Sequence, residues 1–254
     1  MPLHVERRGT GPPLVLLHGF TQTGRLWGPF GDMLARDHTL IAVDLPGHAG
    51  SDDVRADLPT TAGLVRHAVA DSGGPGPYDL LGYSLGARVA LHVATGTDLE
   101  IRRLVVIGAT GGIEDPAARD QRRQADDATA AALEASGDVE AFIARWLSGP
   151  MFSGLADAAQ TAERQRNSAA GLASSLRLAG TGTQEPLWDR IPQLAVPLLA
   201  LAGTDDARFG AHAFRLARSA TLGVASLIPG GGHAVHLAQP DVVGRLVGHW
   251  LATA

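Results

Sequence analysis

The chain has 254 residues, 45% of them hydrophobic, with a formal net charge of −5 and no cysteine. That length and apolar content fit one large core, and the missing thiols exclude disulfides, cysteine nucleophiles and cysteine-ligated metals. All 21 residues in the Lys and Arg count are arginine, which excludes a lysine Schiff base, a pyridoxal phosphate anchor and a Walker A loop; the acidic balance gives no general bias toward nucleic acid or an anionic membrane.

The N-terminal MPLHVERRGTG has no apolar signal core, and no run of about 18 apolar residues follows, so no membrane span is expected. The expectation is a soluble, cytoplasmic protein, a monomer or small homo-oligomer. Continuous apolar runs then alternate with helix-like segments. LVLLHG (14–19) is followed by a helix over 24–36, with Trp27, Phe30, Met33 and Leu34 on one face, and TLIAVDLP (39–46) by a helix over 61–71. YDLLGYS (78–84) leads into a helix over 85–96, and LVVIGA (104–109) ends the first half. Residues 112–188 hold no convincing strand and read as four or so helices. PLLALAG (197–203), a helix over 207–218, VASLIPG (224–230) and a helix over 240–252 complete the chain. Continuous rather than alternating apolar runs indicate strands covered on both faces, and their alternation with helices predicts an α/β fold with a mainly parallel, doubly wound sheet. Residues 1–111 and 189–254 form the expected core, with 112–188 a helical lid inserted between two strands. Glycines 111, 112, 149, 154, 180 and 182 are the expected hinges. In such a sheet the site lies at the carboxyl ends of the strands.

Gly82, Ser84 and Gly86 sit where an apolar strand gives way to a helix, the setting of a nucleophile elbow, in which a sharp turn needs residues without bulk beside an exposed serine. A serine hydroxyl needs a base, and the base an orienting acid, in the order Ser, acid, His on this fold. His233 follows a strand and a GGG loop and is the expected base. His212 and His249 fall within helices, and His236 reads as a helix-start or supporting residue. The acid ends the preceding strand, at Asp205 or Asp206, with Asp206 favoured for its spacing in GTDD. The backbone N–H groups of Phe20 and Leu85 are the expected oxyanion donors. His18 and Asp44 read as loop-bracing residues. Arg88 lies one helical turn beyond Ser84 and can share its face.

LLHGF, DLPGHAGS, GYSLGAR, GTDDARF and GGHAVH together resemble the α/β-hydrolase superfamily over nearly the whole chain. A narrower likeness rests on GYSLGAR, RDQRRQADD, WLSGPMF, RQRNSAAGLASSLRLAGTGTQEPLW and GTDDARF, which resemble the 2-succinyl-6-hydroxy-2,4-cyclohexadiene-1-carboxylate synthases (MenH) of menaquinone biosynthesis. Ala49, Ala87 and Gln239 depart from the usual family residues. The resemblance implies Ser84, Asp206 and His233 as triad, and Tyr83, Arg88, Arg122, Trp146 and Arg166 as pocket residues; in a chain with 21 arginines, Arg119, Arg123 and Arg164 are expected to be solvated. It implies a carbon–oxygen lyase whose small-molecule substrate is a tricarboxylate, matched by three arginines, with no metal or other cofactor. A serine hydrolase acting on a small carboxylate-bearing ester, lactone or C–C bond would use the same triad. A non-catalytic ligand-binding member of the fold is a third reading.

Overall fold

The computed structural model describes residues 2–74, 76–152, 155 and 158–253. Its centre is one seven-stranded sheet in the order β1-β3-β2-β4-β5-β6-β7. The strands are β1 (Val5–Arg8), β2 (Pro13–Leu17), β3 (Thr39–Val43), β4 (Tyr78–Tyr83), β5 (Ile101–Ile107), β6 (Leu198–Gly203) and β7 (Gly223–Ile228). All neighbouring pairs are parallel except β1, which runs antiparallel to β3 with Val5 opposite Val43. Six strands match the apolar runs; β1 has no such run, because VERR is an edge strand with two exposed residues.

Both faces of the sheet are buried, which is why its strands read as unbroken apolar stretches. Side chains alternate between two cores along each strand. Val15 and Leu17 enter a core shared with α2 (Leu58–Gly73), α3 (Leu85–Gly96) and α8 (Ala207–Ser219). Leu14 and Leu16 enter the opposite core, with Phe30 and Leu34 of α1 (Gly28–Leu34) and Val243, Val247 and Leu251 of α10 (Pro240–Thr253). The four-residue helix α9 (Val235–Ala238) joins this second core through Val235 and Leu237.

Between β5 and β6 lie α4 (Pro116–Ser136), α5 (Val139–Leu147), α6 (Ala158–Arg164) and α7 (Ala169–Ala179). The boundaries of α4 are written locally. The Asp115 side chain accepts from Ala117 N–H at 3.1 Å, Pro116 opens the first turn, and Gly137 closes the helix at φ 63°. Ser168 caps α7 by accepting from Gly171 N–H at 2.9 Å. The insert has its own small core of Ala130, Leu133, Phe142, Ile143, Leu172, Ala173 and Leu176. It leaves and returns through one neck, where Leu187 N–H donates to Gly111 O at 2.7 Å and Trp188 Nε1–H to Gly112 O at 3.0 Å. Gly111 and Gly112 are packed glycines of that neck: a Cβ at 111 would lie 2.8 Å from the Trp188 ring. Gly154, the fourth expected hinge, lies outside the described residues.

Polar contacts seat the insert on the loop after β3. Asp52 accepts from the Ser168 hydroxyl at 2.8 Å, and Asn167 accepts from Ala49 N–H at 3.0 Å. Asp44 organises that loop by accepting from Gly24 N–H at 2.6 Å and Gly50 N–H at 3.0 Å. His18 Nε2 accepts from Leu45 N–H at 3.0 Å, the bracing expected of it. No helix among the described residues is long and apolar enough to cross a membrane.

Candidate active site

The turn from β4 into α3 is built around two glycines that cannot carry a side chain. A Cβ at Gly82 would sit 2.3 Å from Gly86 O, and one at Gly86 would sit 2.0 Å from Leu17 O. Both obstacles are backbone, so neither can yield cheaply. The turn they permit holds Ser84 at φ 51°, ψ −106°. A non-glycine residue in such a sparsely populated region costs about 1–3 kcal/mol, retained because the surrounding hydrogen bonds over-determine it. Ser84 N–H donates to Ile107 O at 2.9 Å, and Gly86 N–H to His18 O at 2.9 Å.

His233 Nε2 lies 2.9 Å from Ser84 Oγ, and His233 Nδ1 lies 2.7 Å from Asp206 Oδ2. The imidazole side chain is 1% exposed, so its two partners, not water, set its orientation. Asp206 is held by a second duty: it caps α8, accepting from Phe209 N–H at 3.3 Å. Asp205 is exposed and, among the described residues, receives only the Thr204 hydroxyl, so of the two carboxylates it is Asp206 that reaches the imidazole. Room for the imidazole comes from Gly108, at φ 61°, where a Cβ would stand 2.7 Å from His233 Cε1. Gly108→Ala therefore has to move the imidazole, and we expect kcat to fall about 10²-fold with substrate affinity retained, as steady-state kinetics on the Ala variant would show.

The backbone N–H groups of Phe20 and Leu85 have no acceptor among the described residues. Both residues line the pocket into which Ser84 opens, together with Tyr83, Arg88, Arg122, Trp146 and His233. Seven of the expected positions around Ser84 are thus brought together. Tyr83 is buried, its ring 5.4 Å from that of His233, and burial pushes its hydroxyl pKa up. Behind it, His236 is fully buried against Trp27, Phe30 and Tyr83, and desolvation lowers its pKa to about 3. It is a neutral ring supporting the pocket wall. Trp146 comes from α5 and stands edge-on to Phe20 with centroids 5.0 Å apart.

The arginines divide. Arg88 is buried, donates to Ala179 O at 2.8 Å, and has its pKa lowered to about 10 by desolvation and then by the neighbouring Arg122. Arg122 is bound to Asp126 at 2.8 Å within one turn of α4. The two guanidiniums thus stand near each other at the pocket wall, and among the described residues only that of Arg122 holds a carboxylate. Arg166 is not there: it lies beyond the end of α6, exposed, paired at 2.8 Å with Glu163, and does not line the pocket. Arg164, expected in solvent, is 1% exposed and donates to the Thr21 hydroxyl, with its pKa lowered to about 10 by burial. The helical phase of α6 turns residue 164 inward, and the chain leaves the helix before 166. Sequence reasoning also passed over Gly108, Phe209 and Arg208, all of which line the pocket. The last two sit in GTDDARF beside the favoured acid, which was the available signal.

Residues 14–246 match a profile of the alpha/beta hydrolase family. A putative 2-succinyl-6-hydroxy-2,4-cyclohexadiene-1-carboxylate synthase of Bacillus subtilis (strain 168) is 31% identical over 249 residues, covering 94% of this chain and 90% of that protein. The synthase of that name from Klebsiella pneumoniae subsp. pneumoniae is 34% identical over 236 residues, covering 91% and 90%. The solved structure of MenH from S. aureus superposes with a TM-score of 0.90 at 30% identity, covering 98% of each chain. A thermophilic esterase from Thermogutta terrifontis superposes at 0.81 with 24% identity, a likeness of fold alone. With the elbow, the sheet order and these matches in agreement, the chain belongs to the alpha/beta hydrolase family and resembles its 2-succinyl-6-hydroxy-2,4-cyclohexadiene-1-carboxylate synthases.

Proposed function

We propose that this chain is a carbon–oxygen lyase that eliminates pyruvate from 2-succinyl-5-enolpyruvyl-6-hydroxy-3-cyclohexene-1-carboxylate, giving 2-succinyl-6-hydroxy-2,4-cyclohexadiene-1-carboxylate, and that residues 112–188 act as the lid of its pocket. The observation that carries this reading is a Ser84–His233–Asp206 hydrogen-bonded chain opening into a pocket with Arg88 and Arg122 in its wall. The synthase name shared by the relatives supports it.

In this reading the ring proton at C2, next to the succinyl ketone, moves to Ser84 Oγ as the Ser84 proton moves to His233 Nε2. Asp206 holds the imidazole in the tautomer that can accept it and stabilises the imidazolium that forms. The enolate oxygen is met by Phe20 and Leu85 N–H groups, fixed by the turn before the charge develops. Collapse of the enolate makes the C2–C3 double bond, shifts the ring double bond to C4–C5, and breaks the C5–oxygen bond. Enolpyruvate leaves, regains the proton and tautomerises to pyruvate. The serine acts as a base relay, with no acyl-enzyme.

Guanidinium–carboxylate hydrogen bonds are worth about 1.5–3 kcal/mol each where water is excluded, against about 0–1 kcal/mol for exposed pairs. Arg88 and Arg122 therefore give anionic substrates the advantage. The test is pyruvate release from the enolpyruvyl substrate against turnover of neutral aryl esters. Pyruvate release that falls about 10-fold or more in Arg122→Ala supports the reading; efficient turnover of neutral esters without pyruvate release makes the chain a serine hydrolase instead.

A further inference from the structure

Arg208 is a cation without a structural occupation. It lies at the second position of α8, where the helix dipole disfavours positive charge. Among the described residues it has no ion pair or hydrogen bond, in contrast to Arg122, Arg166, Arg177 and Arg215, each of which holds a carboxylate. Its guanidinium carbon lies 5.7 Å from the centroid of the neighbouring Phe209 ring, and its charge also acts on His212, one turn further along α8. Phe209 in turn lies 4.4 Å from the His233 ring. Arg208 is an exposed residue that lines the pocket into which Ser84 opens, next to Phe209 and on the His233 side.

The other two pocket arginines come from a different part of the fold. Arg88 is on α3 and Arg122 on α4, close enough to each other to interact, beside Ala179 and Gly180 at the end of α7. The cations of the pocket are therefore arranged as two together and one apart, the single one carried by the element that carries the acid. The substrate proposed above has its anions in the same arrangement. Its ring carboxylate at C1 and succinyl group at C2 are on adjacent carbons, whereas the enolpyruvyl group at C5 lies across the ring from C2.

We infer that Arg208 is the contact for the carboxylate that departs with pyruvate, while Arg88 and Arg122 take the ring and succinyl carboxylates. The inference rests on the lyase reading for its assignment of carboxylates. It fixes how the substrate lies: the C2 proton sits over Ser84, the succinyl end points toward α3 and α4, and the leaving group points toward α8. Arg208 then holds the fragment on which negative charge grows as the C5–oxygen bond breaks, so its effect extends beyond binding to the bond-breaking step.

The experiment compares Arg208→Gln and Arg208→Lys with the wild type, using pyruvate release from the tricarboxylate and binding of 2-succinylbenzoate, an aromatic analogue with the ring and succinyl carboxylates but no leaving group. Expected is a loss of about 10- to 100-fold in kcat/KM for Arg208→Gln, recovery to within about fivefold for Arg208→Lys, and 2-succinylbenzoate affinity within about twofold of wild type in both. A purely structural role would not be rescued by lysine and would not spare analogue binding. Wild-type kcat/KM in Arg208→Gln overturns the inference, as does an equal loss of affinity for substrate and analogue. Should the wild type release no pyruvate, the lyase reading fails by itself, and Arg208 is then read with p-nitrophenyl hemisuccinate against p-nitrophenyl butyrate. A preference for the anionic ester that disappears in Arg208→Gln upholds the carboxylate contact, and an unchanged ratio of the two rates removes it.

Discussion

Ser84→Ala is expected to lower kcat/KM for pyruvate release by about 10³-fold or more, because the relay loses the atom that meets the ring proton while the oxyanion donors and arginines remain. Ser84→Gly should be as inactive, yet it should unfold at a higher temperature than Ser84→Ala. The difference follows from the backbone: position 84 is held at φ 51°, which glycine adopts without the penalty that alanine keeps. Kinetics and thermal unfolding of the two variants together separate the chemical role of the hydroxyl from the strain of the turn that presents it. Equal unfolding temperatures would show that the elbow stores no strain, and substantial activity in either variant would remove Ser84 from the mechanism. Asp206→Asn is a weaker probe of chemistry alone, since the same side chain caps α8 and would change two hydrogen bonds at once.

The two features that placed the serine, its pair of glycines and the strand-to-helix transition, were legible in the sequence because they are local. Backbone collisions at Gly82 and Gly86 tolerate no side chain, so the motif announces the geometry. The central strands were legible because burial on both faces leaves no polar positions in them. β1 was not, since an antiparallel edge strand needs only one covered face and VERR reads as a loop. The same division runs through the pocket. Arg88 could be placed by its spacing from Ser84 on one helix. Arg164, Arg166 and Arg208 depend on the phase at which α6 ends and on where α8 abuts the pocket. An arginine looks alike in sequence whether it is buried under Thr21, salt-bridged on the surface or unpaired at a pocket wall. Gly108 was passed over for a related reason: the ring it makes room for, that of His233, is 125 residues away by the numbering of the two positions.

Arg88→Met is expected to lower kcat/KM on the tricarboxylate about 10²-fold while leaving the unfolding temperature equal to that of the wild type or higher. The side chain is buried without a carboxylate within 4.0 Å among the described residues, so its charge is a cost in the unliganded protein. Burial lowers its pKa to about 10, still far above neutrality, and the guanidinium keeps its charge in the cell's pH range. Methionine fills most of the same volume with no charge to desolvate, at the loss of one hydrogen bond to Ala179 O. Against that loss stands relief of repulsion from Arg122, which then faces Asp126 alone. The residue is placed to be stabilised by a ligand rather than by the fold, and saturating 2-succinylbenzoate should raise the unfolding temperature of the wild type more than that of Arg88→Met. A marked drop in the unfolding temperature of the unliganded variant would instead make Arg88 a structural tie between α3 and α7, and would detach it from substrate binding.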